Sequence, residues 1–316
     1  MKITFLDAQT LGNDLSFEEL SALGEVTVYQ KTAPDEITAH AKGADVLVLN
    51  KVKINAETLG ENGTLRLICI TATGFDNVDL DFCQSRGIAV CNVVGYSTQS
   101  VAQVTVAMAL SLITHLPEYA ACVSSGDYTA SGVANALTPV YHEIAGKTWG
   151  IVGFGNIGRQ VGRVAEALGC RVLVNKRTPV EGWECVDFDT VCQNSDILSI
   201  HTPLNDTTRN LLDGRHIAML KQHTIVINVA RGAVTDEAAL AAAVREGRIG
   251  GLGVDVYSAE PLPPEHPFQS IRSLPNVCLT PHMAWGAYET RVRLLAEIAE
   301  NIRSYLKGEK RNRIDF

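Results

Sequence analysis

Long apolar runs are missing from this sequence: no stretch approaches the roughly 20 residues that a membrane-crossing helix needs. Closely spaced cysteines are missing too. The eight cysteines stand at 69, 83, 91, 122, 170, 185, 192 and 278, and none has the Cys-x-x-Cys spacing of redox or zinc motifs. "HEIAG" (142–146) lacks the second histidine of a zinc helix, and no other His or Cys cluster has ligand spacing, so no metal site is expected. Positive charge is in deficit. With 27 Lys and Arg against 35 Asp and Glu, the net charge of -8 excludes a general nucleic-acid or anionic-membrane surface, and any anionic ligand must meet local basic residues. A signal segment is also lacking, because Met1-Lys2 leads straight into the strand-like "ITFL". The expectation is a cytoplasmic protein with reduced thiols, in which the sequons at Asn62 and Asn205 are chance matches.

What is there is enough for two cores. The chain has 316 residues, 46% of them hydrophobic, which exceeds the usual size of one domain. Short apolar runs alternate with amphipathic stretches: "KITFLD", "EVTVYQ", "DVLVLN" and "LRLICI" in one series, "TWGIVG", "CRVLVN", "DILSIH", "TIVINV" and "GLGVDV" in another. Strands alternating with helices give parallel sheets, and two series give two α/β domains, both doubly wound. "ADVLVLNKV" (44–52) echoes "SDILSIHTP" (195–203), and "LICITATG" (67–74) echoes "IVINVARG" (225–232). The polar ends of these runs lie where ligands bind in open parallel sheets, which predicts two halves facing each other across a cleft.

Between the series, "STQSVAQVTVAMALSLITHLP" reads as a helix capped by Ser97 or Thr98 and stopped by Pro117. It is apolar nearly all round, more than one domain face can bury, and so predicts a homodimer with residues 99–115 in the interface. Val292, Leu295, Ile298, Ala299, Ile302, Tyr305 and Leu306 form one stripe of a last helix closed by Gly308. This helix is expected to return to the first domain, so that the second is inserted in it.

"GIVGFGNIGRQVGR" (150–163) has dinucleotide-binding spacing in the required context, after a strand and opening a helix over 156–168. Gly153 permits the tight turn, Gly155 lets the backbone approach a pyrophosphate, and Gly158 allows close helix packing. Asn156 and Ile157 bring the free N–H groups of the helix start to the phosphates. Arg231, in "NVARGAVTDEAAL", stands just beyond the strand 224–229, where a guanidinium can grip a carboxylate bidentately. His282, in "LTPHMAWG", follows another apolar run and suits proton exchange at neutral pH. Glu260, in "SAEPLPPEHP", can favour the protonated imidazole.

These stretches, with "TATGFDNVDLDFCQSRGIAVCNVVGYSTQSVAQ", "DILSIHTPLNDTTRNLL" and "GGLGVDVYSAEP", resemble the D-isomer-specific 2-hydroxyacid dehydrogenases over essentially the whole chain. The resemblance implies a Rossmann cofactor domain (99–283) inserted into a flavodoxin-like substrate-binding domain (1–98 and 284–316). It implies that Arg231 binds the substrate carboxylate and carbonyl, that His282 donates the proton to the forming alkoxide, and that Glu260 pairs with His282. Asp255 would hold the nicotinamide carboxamide, while Thr202, Pro203 and Ala230 would line the cofactor cleft. Thr73 and Gly74 fall on the family's carboxylate-binding loop, with Lys51 nearby after the preceding strand.

"GYSTQSVAQ" and Trp285 look most like the glycerate dehydrogenase (hydroxypyruvate reductase) branch, with Trp285 narrowing the pocket for a small 2-oxo or 2-hydroxy acid. Reductases of branched or aromatic 2-oxo acids remain an alternative, as does an NAD-sensing, corepressor-like binding protein of the same family. The acid that would accept the ribose 2′-OH of NAD, about 20 residues after the first glycine, is missing. Asn175, Lys176, Arg177 and Thr178 stand there instead. Lys176 or Arg177 with Thr178 can bond a 2′-phosphate, which favours NADP(H), with NAD(H) as the alternative.

Overall fold

The computed structural model describes residues 1–60 and 62–315. They divide into two compact units: Met1–Ser97 with the chain from Gly286 onward, and Thr98–Trp285.

The first unit is built on β1 (Lys2–Phe5), β2 (Glu25–Val28), β3 (Val46–Leu49), β4 (Leu67–Ile70) and β5 (Ala89–Cys91). They pair in parallel in the order β2-β1-β3-β4-β5, the flavodoxin-like winding. The runs "VLVL", "LICI" and "AVC" are buried at every position, because a parallel sheet covered on both faces has no solvent side to alternate with. β2 lies at the edge and alternates exposed with half-buried residues. The helix Tyr288–Leu306 returns to this unit and packs on β4 and on the short helix Glu18–Ser21. Beyond it, Ile314 donates its N–H to Val90 O at 3.0 Å, and Cys91 and Arg313 form an antiparallel bridge that covers the outer edge of β5.

The second unit contains β6 (Thr148–Val152), β7 (Arg171–Asn175), β8 (Glu184–Cys185), β9 (Ile197–Ile200), β10 (Ile225–Asn228), β11 (Gly251–Val254) and β12 (Val277–Leu279). The order is β12-β11-β10-β9-β6-β7-β8, all pairs parallel. This is a Rossmann sheet, in which the winding reverses between β6 and β9, the place where such sheets bind dinucleotides. Buried side chains fill a core on each face, one around Leu198, Leu240 and Phe268, the other around Trp149, Ile151 and Ile227.

The apolar helix of the connecting region, Thr98–Thr114, belongs to the second core. It packs on the helix Asn156–Ala167 and on β10 and β11, and buries Val101, Ala102, Met108, Ala109 and Leu112. Val104, Val106, Leu110 and Ile113 on the same helix are only half-buried. Pro117 does not stop this helix. His115 adopts a left-handed conformation at φ 52° and ends the helix, whereas Pro117 stands in the first turn of the next helix, Leu116–Ser124, where its missing N–H costs nothing.

That helix and the following Asp127–Ser131 begin an excursion that folds on itself: Tyr119 donates its hydroxyl to Pro139 O at 2.5 Å and Tyr128 to Ala134 O at 2.7 Å. Among the described residues, no single helix is long and apolar enough to cross a membrane.

Candidate active site

The glycine turn stands at the reversal point of the Rossmann sheet. Gly153 leaves β6 at φ 88°, and a Cβ there would lie 2.6 Å from Thr202 N, so the turn touches the chain leaving β9. Gly158 packs equally closely, its Cβ position lying 2.3 Å from Gly153 O. Gly155 is different. Nothing lies within 4 Å of its Cβ position, which leaves an open backbone face at the start of the helix Asn156–Ala167. That start, at Asn156 and Ile157, carries no side-chain cap and no acid in its first turn. An open glycine face beside uncapped N–H groups fits a pyrophosphate.

At the end of β7, Asn175 turns its amide onto Val186 O at 3.1 Å, while Lys176, Arg177 and Thr178 are exposed. Thr202 and Pro203 follow β9, where Pro203 O accepts the Thr208 hydroxyl at 2.6 Å.

Arg231 sits just past β10 on a turn built by Asn228, a fully buried residue absent from the sequence reading. Asn228 Oδ1 accepts Ala230 N–H at 3.0 Å and its Nδ2 donates to Arg231 O at 2.9 Å, gripping the turn from both ends. Arg231 Nη1 donates to Ala230 O at 2.8 Å, which orients the half-buried guanidinium. Gly232 follows because nothing larger fits: its Cβ would meet Tyr257 C and Ser258 N at 2.1 Å.

His282 follows β12 with a left-handed φ of 54°, a conformation non-glycine residues adopt only when the surroundings hold them. Asp255, 1% exposed at the end of β11, supplies the hold. Its carboxylate accepts the Thr280 hydroxyl at 2.5 Å, Met283 N–H at 2.8 Å and Ala284 N–H at 2.9 Å. It organises the histidine loop, a task the sequence reading did not assign to it. Ser100 adds a hydroxyl bond to Ala284 O at 2.5 Å. Trp285 packs on the core around Trp149. His282 Nδ1 lies 2.7 Å from Glu260 Oε2, and Glu260 Oε1 accepts Tyr257 N–H at 3.0 Å. Burial, then the charges of Asp255 and Glu260, push the Tyr257 hydroxyl up to about 12. It therefore remains a neutral donor to Thr280 O, at 2.8 Å.

The remaining expected residues belong to the first unit. Lys51 N–H and its neighbours Asn50 and Val52 donate to the buried Asp7 carboxylate at 2.6, 2.8 and 3.2 Å, and Asn77 Nδ2 holds Asn50 O and Val52 O at 3.2 and 2.7 Å. Burial raises the Asp7 carboxyl, partly offset by those three N–H donors. Thr73, exposed just after β4 and followed by Gly74, is tied to the next strand's loop through Thr73 Oγ1 to Val93 O at 2.7 Å and Asn92 Nδ2 to Thr73 O at 2.8 Å.

A dinucleotide turn beside one strand end and a Glu-supported histidine beside another, with an arginine between them on the same sheet, define a nicotinamide-dependent oxidoreductase. The chain belongs to the D-isomer specific 2-hydroxyacid dehydrogenase family, whose NAD binding domain matches residues 106–284. It is 34% identical to a glycerate dehydrogenase of Methylorubrum extorquens, over 99% of each chain. It is 32% identical to a hydroxypyruvate reductase of Blautia hydrogenotrophica, again over 99% of each. Among solved structures, the NADPH-dependent glyoxylate/hydroxypyruvate reductase of Sinorhizobium meliloti, in complex with NADP and malonate, superposes with a TM-score of 0.84 at 26% identity, covering 99% of this chain and 96% of that one.

Proposed function

We propose that this chain reduces a small 2-oxo acid of the hydroxypyruvate or glyoxylate type to the D-2-hydroxy acid, reversibly, with NADPH preferred to NADH. The observation that carries the reading is the 2.7 Å contact between Glu260 and His282, on the same sheet as Arg231 and the glycine turn. Gly153, Gly155, Asn156, Ile157 and Gly158 would hold the pyrophosphate of a reduced nicotinamide dinucleotide, which when bound would supply the hydride; Thr202, Pro203, Ala230 and Asp255 are assigned to the same cofactor. Arg231 takes the carboxylate of the substrate and orients its carbonyl with a planar fork. His282 gives the proton on Nε2 to the carbonyl oxygen, leaving Nδ1 on Glu260. The glutamate carboxylate stabilises the imidazolium that does this. Lys51 and the N–H groups of Thr73 and Gly74 are assigned to the substrate carboxylate, and Trp285 to limiting substrate size. The names of the relatives support the substrate class, and the NADP bound to the Sinorhizobium meliloti enzyme supports a nicotinamide dinucleotide as the cofactor.

The partner we infer is a second copy. On the excursion after His115, Leu116, Val123, Val133, Leu137 and Val140 are each more than 60% exposed, which is unusual for a monomer surface. A cytoplasmic setting completes the reading, in keeping with eight free cysteines.

The test is a spectrophotometric panel in which hydroxypyruvate, glyoxylate, a branched 2-oxo acid and phenylpyruvate are each offered with NADPH and NADH. Oxidation of NADPH by the first two is the expected result. Faster turnover of phenylpyruvate than hydroxypyruvate removes the substrate assignment, and no oxidation with any acid removes the reaction.

A further inference from the structure

Glu237 is the first residue of the helix Glu237–Arg245, where an acid is ordinarily explained by the helix dipole. Here the N-cap is already supplied by Asp236, which accepts Ala239 N–H at 2.9 Å. Glu237 is instead only 9% exposed and reaches away from its own helix. Its Oε1 accepts Ser258 N–H at 2.9 Å, and its Oε2 accepts the Ser258 hydroxyl and faces His266 Nε2 at 3.0 Å. His266 is itself buried, and its Nδ1 accepts Phe268 N–H at 3.2 Å. A backbone donor at Nδ1 requires the ring's proton on Nε2, so His266 donates to Glu237. The carboxylate thus meets three donors, two of them from Ser258.

Ser258 lies two residues before Glu260. The segment 257–258 is held on one side by the Gly232 backbone, which approaches so closely that no Cβ fits, and on the other by Glu237. From it, Tyr257 N–H fixes Glu260 Oε1 while Glu260 Oε2 meets His282. We propose that Glu237 is a positioning residue, which through Ser258 sets the carboxylate of Glu260 against the proton-donating histidine. The proposal rests on the Glu260–His282 reading above. The charged and titratable groups around this segment are His266, Glu237, Asp255, Tyr257, Glu260, Cys278 and His282, and Glu237 accepts both the N–H and the hydroxyl of Ser258.

Glu237→Gln keeps the shape but replaces one acceptor oxygen with a donor, leaving a donor facing a donor in a buried site. The experiment measures kcat, KM and the pH profile of hydroxypyruvate reduction, with cofactor affinity read by fluorescence, for Glu237→Gln, Ser258→Ala, Glu260→Gln and the double variant Glu237→Gln with Glu260→Gln. For Glu237→Gln, kcat is expected to fall about tenfold with cofactor affinity unchanged, and the pH above which reduction declines to move down, as in Glu260→Gln. Ser258→Ala, which removes only the hydroxyl donor, moves both readouts the same way by less, and answers the question if Glu237→Gln does not fold. In the Glu260→Gln background, Glu237→Gln should cost nothing more. A pH profile unmoved by Glu237→Gln, or by Ser258→Ala in its place, overturns the proposal, as does a full additional loss in the double variant. If Glu260→Gln itself leaves the profile unmoved, the reading of the Glu260–His282 pair falls and the proposal falls with it.

Discussion

Asp255 holds His282 in place without touching its ring: one carboxylate accepts Thr280 Oγ1, Met283 N–H and Ala284 N–H, and the histidine between them takes a left-handed φ of 54°. The loop is clamped on both sides of the residue, so the imidazole is delivered to Glu260 already oriented.

His282→Ala should therefore remove the proton donor without disturbing the clamp, lowering kcat by about 10² to 10⁴, the range for a lost general acid. Arg231→Lys should cost roughly 2 to 4 kcal/mol of transition-state stabilisation, because one ammonium cannot reproduce the fork. Steady-state kinetics with circular dichroism as a folding control decide both. Near-normal turnover in either variant sinks the corresponding assignment.

Cofactor choice should lie in the exposed end of β7. A charge-assisted bond to a 2′-phosphate contributes about 1.5 to 3 kcal/mol, so NADPH should be preferred roughly ten- to a hundredfold in kcat/KM. The double variant Lys176→Asp, Arg177→Ala should reverse the order. A wild type that prefers NADH would show that these cations are surface charge.

The exposed residues after His115 should be covered by a second chain. Light scattering is expected to give a dimer at micromolar concentration, and Leu137→Asp with Val140→Asp to give a monomer, since buried like charges without partners are strongly disfavoured. A wild-type monomer with intact activity contradicts the assignment.

Acid should destabilise the second unit through His201. Burial pushes this imidazole down to about 3, and its Nδ1 is buried without a hydrogen-bond partner. The unfolded chain takes up a proton near pH 6.5 that the folded chain refuses until about pH 3, so stability falls as pH drops through that window. The loss should be about 2 kcal/mol between pH 7 and pH 5. Urea midpoints for wild type and His201→Gln test this, and an unchanged pH slope in the variant removes His201 as the cause.

Strands of four or five apolar residues, the glycine turn and the Arg231, Glu260 and His282 motifs were legible in the sequence because each is a local pattern. β5, β8 and β12, with two or three residues each, are too short for periodicity to register. Asn228, Glu237, Tyr257 and Asp7 could not be read at all. Each is a polar residue whose meaning comes from a partner on another element, and in one dimension it looks like any helix cap or strand end. The helix Thr98–Thr114 shows a different limit: its apolar circumference was plain, but which of its residues the neighbours in its own unit would cover depends on packing that hydropathy does not encode.

The return of the helix Tyr288–Leu306 to the first sheet bears on how the chain is made. A ribosome delivers β1 to β5 first, yet the helix that covers β4, and the segment around Arg313 that borders β5, emerge only after all of the second unit. β4 and β5 are made without those covering segments, while the inserted unit, continuous from residue 98 to 285, is made in one stretch. Vectorial synthesis normally lets the N-terminal domain finish first; a chain threaded in this way receives the last helix of its first unit only after the whole second unit has been synthesised.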